Sequence, residues 1–212
     1  MGREFIELFE EWATDYDKSV VGEDPQYKDV FANYEEILEE VVRQSTGRVA
    51  EFGVGTGNLS LKLIAAGHHV IGIEPSKAMR QIASRKISSL IVLDGDFINY
   101  PELPNDVETI VSTYAFHHLT DDEKETAIGR FAAILPGNGR IVFGDTMFRS
   151  EADKQLKIAE AIDKGFLDLA ADLNREYYPT LDIIKNAFEK HHFDVSFKQM
   201  NDFVWVITAD KK

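Results

Sequence analysis

Three glycines at alternate positions, Gly53-Val54-Gly55-Thr56-Gly57, stand between a short apolar run and an amphipathic one. Glycine lacks a Cβ and tolerates positive φ, so such a turn lets the backbone approach a ligand closely. The run at 48–52 reads as a strand, and 59–66 reads as a helix that Gly67 ends. A strand passing through a glycine turn into a helix opens a βαβ unit. The alternation then continues, with strands expected at 69–73, 90–93, 107–114 and 140–144, and helices at 76–87 and 120–135. Thr120-Asp121-Asp122-Glu123 has the capping-box spacing at the start of the second of these helices. That order means a parallel sheet with crossover helices.

The flanks differ. Phe5, Leu8, Phe9, Trp12 and Tyr16 form one helical stripe. Asp24-Pro25 has the N-cap and N1 chemistry of a second helix, whose apolar positions continue to about Gln44. After the fifth strand, 150–173 reads as one long helix and 180–190 as another. Two strands, 193–200 and 203–209, joined at Asn201-Asp202, read as a closing hairpin that puts one antiparallel strand into the sheet. At 212 residues the chain fits one domain by a prior of roughly 150 residues each. Its expected parts are a helical cover (1–46), an alternating strand–helix core (47–146), a helical insertion (147–191) and a hairpin (192–212).

Charge and composition narrow the partners. Lys plus Arg number 23 against 37 Asp plus Glu, a net charge of −14. Nucleic-acid affinity comes largely from Lys and Arg neutralising phosphates, so a nucleic-acid partner is not expected. An anionic membrane would also repel the chain. There are no cysteines, which removes disulfides, thiolate metal sites and cysteine nucleophiles. The acidic N-terminal stretch does not fit a signal peptide, and no apolar run reaches the ~18 residues of a membrane span. A cytoplasmic location is expected.

Spacing separates the possible ligands of the glycine turn. A dinucleotide fingerprint needs glycine or alanine at position 58, where Asn58 stands. Glu74 ends the second strand, 21 positions after Gly53, placed to accept from both hydroxyls of a ribose. Glu51 adds negative charge toward the same crevice, which suits a cationic ligand and repels a pyrophosphate. In Asp94-Gly95-Asp96-Phe97, Asp96 could accept from an exocyclic amine and Phe97 could lie on a purine. Taken alone, that pair reads more plainly as a loop aspartate and a core phenylalanine.

Glu51 to Gly57, Gly72-Ile73-Glu74-Pro75-Ser76, Asp94 to Phe97 and Leu135-Pro136-Gly137-Asn138-Gly139-Arg140-Ile141 together resemble the motifs of class I S-adenosylmethionine-dependent methyltransferases. The opening MGREFIELFEEWATDYD, the stretch STYAFHHLTDDEK and the ending FVWV resemble the narrower YrrT-type methyltransferase group of bacilli. The resemblance implies a Rossmann-like α/β fold. Its seven-stranded, mostly parallel sheet has an antiparallel last strand and helices on both faces. It implies S-adenosylmethionine as cofactor and S-adenosylhomocysteine as product. Gly53, Gly55 and Gly57 would lie under the methionine moiety with Glu51 beside them. Glu74 would bind the ribose, Met79 would pack near the adenine with Ser76 beside it, and Asp96 would meet the adenine amine. Tyr114 would line the methyl-transfer site and Tyr16 would close over the cofactor.

Methyl transfer is in-line displacement from an activated donor, so alignment and water exclusion matter most. A base is needed only if the nucleophile arrives protonated. His117 and His118 follow the fourth strand and either could serve; packing against the next helix is the plainer reading. Tyr178 could wall the acceptor site or pack an inter-helix joint. Asp145 ends the fifth strand at the same rim. No metal site is expected, because adjacent residues on a strand face opposite ways and a histidine pair is then no chelate. The expected activity is transfer to a small molecule through an oxygen, nitrogen or sulfur acceptor, the oligomeric state being open. Two alternatives stand: a non-catalytic S-adenosylmethionine-binding sensor, and a nicotinamide-dependent oxidoreductase, against which Asn58 speaks.

Overall fold

The computed structural model describes residues 24–212. The Phe5–Tyr16 stripe, and with it Tyr16, lies outside the described residues. Seven strands form one sheet: β1 (Arg48–Phe52), β2 (His69–Ile73), β3 (Ile91–Leu93), β4 (Val107–Thr113), β5 (Arg140–Thr146), β6 (Phe193–Gln199) and β7 (Val204–Lys211). Their order is β3-β2-β1-β4-β5-β7-β6. The first five pair in parallel, and β7 runs antiparallel to both β5 and β6. This is the Rossmann-like α/β fold that the resemblance implies, and it contains the parallel strands and closing hairpin that the alternation predicts.

Strand periodicity builds two cores. Ala50, Phe52, Ile110, Ile141 and Phe143 face one side, and Val49, Val111 and Val142 the other. On the first side pack helices α4 (Asp121–Ile134) and α7 (Leu181–Lys190), through residues such as Phe131 and Phe188. The second side takes α1 (Tyr34–Gln44), α2 (Asn58–Ala65), α5 (Glu151–Asp163) and α6 (Leu167–Arg175). Helix α3 (Lys77–Lys86) packs through Ala83 with Val54 and Leu90 in a smaller cluster. The capping box at Thr120 and Glu123 forms as the spacing implied. Among the described residues, no helix is long and apolar enough to cross a membrane.

Two helices differ from expectation. The segment from Asp24 is not a helix; residues 24–33 are a run of turns, and α1 starts after Asn33, whose φ is 62°. Asp24 does cap locally, accepting from the Gln26 N–H at 2.9 Å. The helix does not propagate back because its carbonyls are used elsewhere. Asn201 Nδ2 donates to Val30 O (3.0 Å) and Ala32 O (2.7 Å), and Asn33 Nδ2 donates to Met200 O (3.0 Å). Tertiary hydrogen bonds to the β6–β7 turn thus outweigh local propensity.

The long helix expected at 150–173 is two helices, α5 and α6. Gly165, at φ 74°, breaks it, and the Phe166 N–H reaches back to Ala161 O at 2.8 Å. The insertion that contains both is closed at its base. Phe148 N donates to Pro179 O (3.1 Å), Leu181 N donates to Phe148 O (2.9 Å), and Phe148 and Thr180 form a β-bridge.

Asn201 Oδ1 also accepts from Phe203 N and Val204 N at 2.8 and 2.7 Å, so one side chain serves four backbone groups. Asn201→Ala is expected to lower stability by about 1–3 kcal/mol, the usual cost of orphaned polar groups. Denaturant unfolding checks this; a midpoint unchanged from wild type would remove Asn201 as the lock.

Candidate active site

The carboxyl ends of β1, β2, β4 and β5 meet at one rim of the sheet. At β1 the chain turns through the three glycines, each with positive φ: Gly53 at 69°, Gly55 at 55° and Gly57 at 89°. A Cβ on Gly53 would meet Ala115 Cβ at 2.6 Å, so the turn is packed against the loop after β4. Among the described residues, a Cβ on Gly55 would meet nothing within 4 Å, so they leave the tip of the turn open.

Glu74 connects this turn to β2. It is 5% exposed; its Oε2 accepts from Gly55 N at 2.9 Å and its Oε1 from Ser76 N at 2.8 Å. The acid predicted to take a ribose therefore also holds the glycine turn in place. Arg80 fixes the same corner by donating to Glu74 O (2.6 Å) and Pro75 O (2.8 Å). Ser76 caps α3, accepting from Met79 N at 3.2 Å, and Met79 is buried beneath it. Asp96 Oδ1 accepts from Ile98 N (2.8 Å) and Asn99 N (2.6 Å), which shapes the loop after β3.

Two expected cofactor residues sit differently. Glu51 does not put a charge into the crevice. It is 1% exposed, with Ser60 Oγ donating to it, and burial, joined by the nearby Glu74 charge, outweighs that hydrogen bond and pushes its carboxyl up to about 8. Its carboxyl is therefore mostly protonated at neutral pH. Phe97 is turned inward, 6% exposed, its ring centroid 5.6 Å from Phe52 and 5.3 Å from Phe116. A purine could reach that face only by displacing core rings.

Beyond β4 lies a second arrangement. Tyr114, at φ 53°, leaves the strand in a left-handed conformation and packs 5.1 Å from the Phe31 ring and 5.7 Å from the Tyr34 ring. Burial holds its phenol well above the usual value. Then Phe116–His118 forms a single 3₁₀ turn. This corrects the strand-based reasoning about the histidine pair, because on a tight turn both imidazoles come together, their centroids 4.1 Å apart.

Asp145, at the end of β5, pins that turn. It accepts from Phe116 N (2.6 Å), His117 N (3.2 Å) and Thr146 N (2.7 Å), and bonds His117 Nδ1. On the other side stands Glu176, just after α6, which no sequence pattern singled out. Its Oε2 lies 3.3 Å from His117 Nε2 and 3.9 Å from His118 Nδ1, and accepts from Tyr178 Oη at 2.6 Å. Tyr178 stacks on His117 with centroids 4.7 Å apart. The buried Lys124 ties this segment down, donating to Leu119 O and to Tyr177 O at 2.6 Å.

The electrostatics follow from burial and pairing. Burial alone would depress both histidines. For His117, Asp145 and Glu176 overcome it and raise the imidazole; for His118, burial and the neighbouring His117 charge push it well down. Burial would raise the carboxyls of Asp145 and Glu176, but His117 holds both low. Tyr114, His117, His118 and Tyr178 line one cavity of about 100 Å³, closed by Tyr27, Phe31 and Leu173. The structure thus brings His117, His118, Tyr178 and Tyr114 together, and sets the Gly53–Glu74–Ser76 group beside the same rim.

A family model described as a methyltransferase domain matches residues 49–139. A relative from Oceanobacillus iheyensis, an uncharacterized methyltransferase, is 59% identical over 211 residues, covering 100% of this chain and 99% of the relative. Another, from Anoxybacillus flavithermus, is 54% identical and covers 100% of both chains. Among solved structures, magnesium protoporphyrin IX methyltransferase from Synechocystis with bound S-adenosylhomocysteine superposes with a TM-score of 0.76, at 16% identity and 100% coverage of both chains. A possible histamine N-methyltransferase from Thermotoga maritima gives a TM-score of 0.72 at 20% identity, covering 98% of this chain and all of that one.

Glu51 yields a test of the burial argument. Its carboxyl moves from 4.5 to about 8 on folding, so its contribution to stability is complete below pH 4.5 and is lost as pH rises through about 8. Glu51→Gln removes that dependence. The stability of wild type relative to the variant should fall between about pH 5 and 8, by on the order of 4 kcal/mol at most. Chemical denaturation of both proteins across this range reads it, and a flat difference would mean Glu51 is ionised in the fold.

Proposed function

The chain belongs to the methyltransferase family of its Oceanobacillus and Anoxybacillus relatives, and on that premise we propose that it transfers methyl from S-adenosylmethionine to a small-molecule acceptor. The observation that carries this is the Glu74–Gly55 bond at the rim of the sheet. A buried acid holds a glycine turn whose tip is open to a ligand, with no third fingerprint glycine for a pyrophosphate.

The residues present fit the cofactor. Gly53 and Gly55 would carry its amino-acid end, because a side chain at Gly55 would project into the space that the ligand needs. Glu74 would accept from the ribose hydroxyls. A carboxylate has about four lone-pair sites, so it can do so while holding Gly55 N and Ser76 N. Asp96 and Met79 would border the adenine. When bound, S-adenosylmethionine supplies a methyl already activated by a sulfonium, so the protein's work is alignment and exclusion of water.

The acceptor side is the cavity beyond Tyr114. Aromatic rings and aliphatic side chains form most of its wall, and His117, His118, Glu176 and Tyr178 give it polar contacts. At about 100 Å³ it suits the reactive end of a small molecule. The net charge of −14 supports a small acceptor over nucleic acid. His117, His118 and Tyr178 are the residues placed to touch it.

Calorimetry with S-adenosylhomocysteine, with NAD titrated in parallel, tests the cofactor. Binding of the nucleoside and not of NAD is expected; the reverse would overturn the reading. Glu74→Ala should lower nucleoside affinity at least about tenfold, a loss of ~1.4 kcal/mol. Tyr178→Ala should leave that affinity unchanged while lowering turnover with any acceptor found in a labelled-donor screen; a loss of nucleoside binding would place Tyr178 in the cofactor site instead.

A further inference from the structure

Among the described residues, one cluster has the make-up of a metal site: His117, His118 and Glu176, all buried, each offering a ligand atom within 4.8 Å of the others. Glu176 Oε2 stands 3.3 Å from His117 Nε2 and 3.9 Å from His118 Nδ1. Ligands on a tetrahedral ion with bonds near 2.1 Å sit about 3.4 Å apart, so these separations bracket the edge of such a polyhedron. The 3₁₀ turn is what makes this possible, since it puts adjacent imidazoles side by side.

The surroundings orient the ligands. Asp145 bonds His117 Nδ1, which turns Nε2 toward Glu176, and three backbone N–H groups fix Asp145 itself. Tyr178 Oη holds Glu176 at 2.6 Å. A carboxylate behind a ligating histidine, and a donor behind a ligating carboxylate, are the usual outer partners of a metal. Charge points the same way. Asp145 and Glu176 are 2% and 9% exposed and share the one imidazole of His117, so a dication standing where the Nε2 proton points offsets both at once. Arg175, the cation nearest Glu176 on α6, reaches only to 3.7 Å of its other oxygen. The cavity adjoins the cluster and leaves one side of it open.

We propose that His117, His118 and Glu176 form a binding site for one divalent transition-metal ion of the zinc class. Its remaining coordination position opens on the acceptor cavity. Two imidazoles and one carboxylate favour such an ion over magnesium or calcium, which take oxygen ligands. In the solved catalytic zinc sites of this composition, the fourth position holds water or substrate. The proposal goes beyond methyl transfer and does not depend on it, because binding is read with the metal alone.

The test uses the full chain, stripped with chelator and titrated with Co²⁺, followed by displacement with Zn²⁺. The expected result is one Co²⁺ per chain with the intense visible absorption of a low-coordinate site, bleached by Zn²⁺. Glu176→Gln and His118→Ala should abolish the absorption. Asp145→Asn should weaken affinity about 10–100-fold, as loss of an outer partner does. Circular dichroism and S-adenosylhomocysteine calorimetry on each variant report the fold and the neighbouring cofactor site separately. The proposal is overturned if the wild-type chain takes up neither ion. It is equally overturned if folded Glu176→Gln and His118→Ala bind like wild type, since uptake then belongs to another histidine pair. Where a buried variant fails to fold, absence of uptake by the wild-type chain still overturns the proposal, and an affinity unchanged in Asp145→Asn overturns it by placing the ion elsewhere.

Discussion

Parallel pairing of β1 with both β2 and β4 is the constraint from which the rest of the molecule follows. Three adjacent strands pointing one way deliver three chain exits to the same rim. The connections leave β1 and β4 toward opposite faces, α2 on one and α4 on the other, and a crevice opens between them. Most groups with chemistry on them hang from that rim: the glycine turn on β1, Glu74 on β2, Tyr114 and the histidines on β4, Asp145 on β5; Glu176 and Tyr178 reach it from the insertion. Buried carboxylates then act as fasteners between exits. Glu74 joins β2's exit to β1's, and Asp145 joins β5's exit to β4's.

The acids at this rim show how environment sets role. Glu51 and Glu74 are both nearly inaccessible, yet Glu74 takes N–H groups from two separate stretches of backbone, at Gly55 and Ser76, whereas Ser60 supplies Glu51 with its hydroxyl and its backbone N–H. The first fastens the glycine turn to the exit of β2. Desolvation makes the second close to a neutral hydrogen-bonding group of the core at pH 7. Residue type at a motif position thus says less than the burial that the fold imposes on it.

Much of this was legible in the sequence, where the signal is local. Alternating strand and helix patterns gave the sheet, the glycine spacing gave the turn, and Thr120 with Glu123 marked a helix start that formed as read. The misses are long-range. Nothing near Asp24 shows that Asn201 will take the carbonyls of Val30 and Ala32, so a helix signal became turns. Gly165 was a local signal, and its breaking of the long helix could have been read from its place in the pattern. Glu176 is the clearest case: it meets the histidines only because α5 and α6 double back, and a lone acid after an amphipathic stretch carries no mark of that. The histidine pair is arranged differently from the strand-based expectation because a 3₁₀ turn, unlike a strand, sets neighbours side by side.

The closed base of the insertion has a consequence for how such a chain can diversify. Phe148 and the Pro179–Leu181 stretch are stitched by two backbone hydrogen bonds, so the residues between them start and finish at one point on the sheet. Closing a longer or shorter excursion between fixed ends changes the entropy only slowly with length. The excursion carries Glu176 and Tyr178, while Gly53, Gly55 and Glu74 lie on the other side of the stitch in sequence. Substitutions, insertions and deletions in α5 and α6 can therefore remodel one wall of the cavity without reaching the glycine turn. The architecture separates an evolvable wall from a fixed floor.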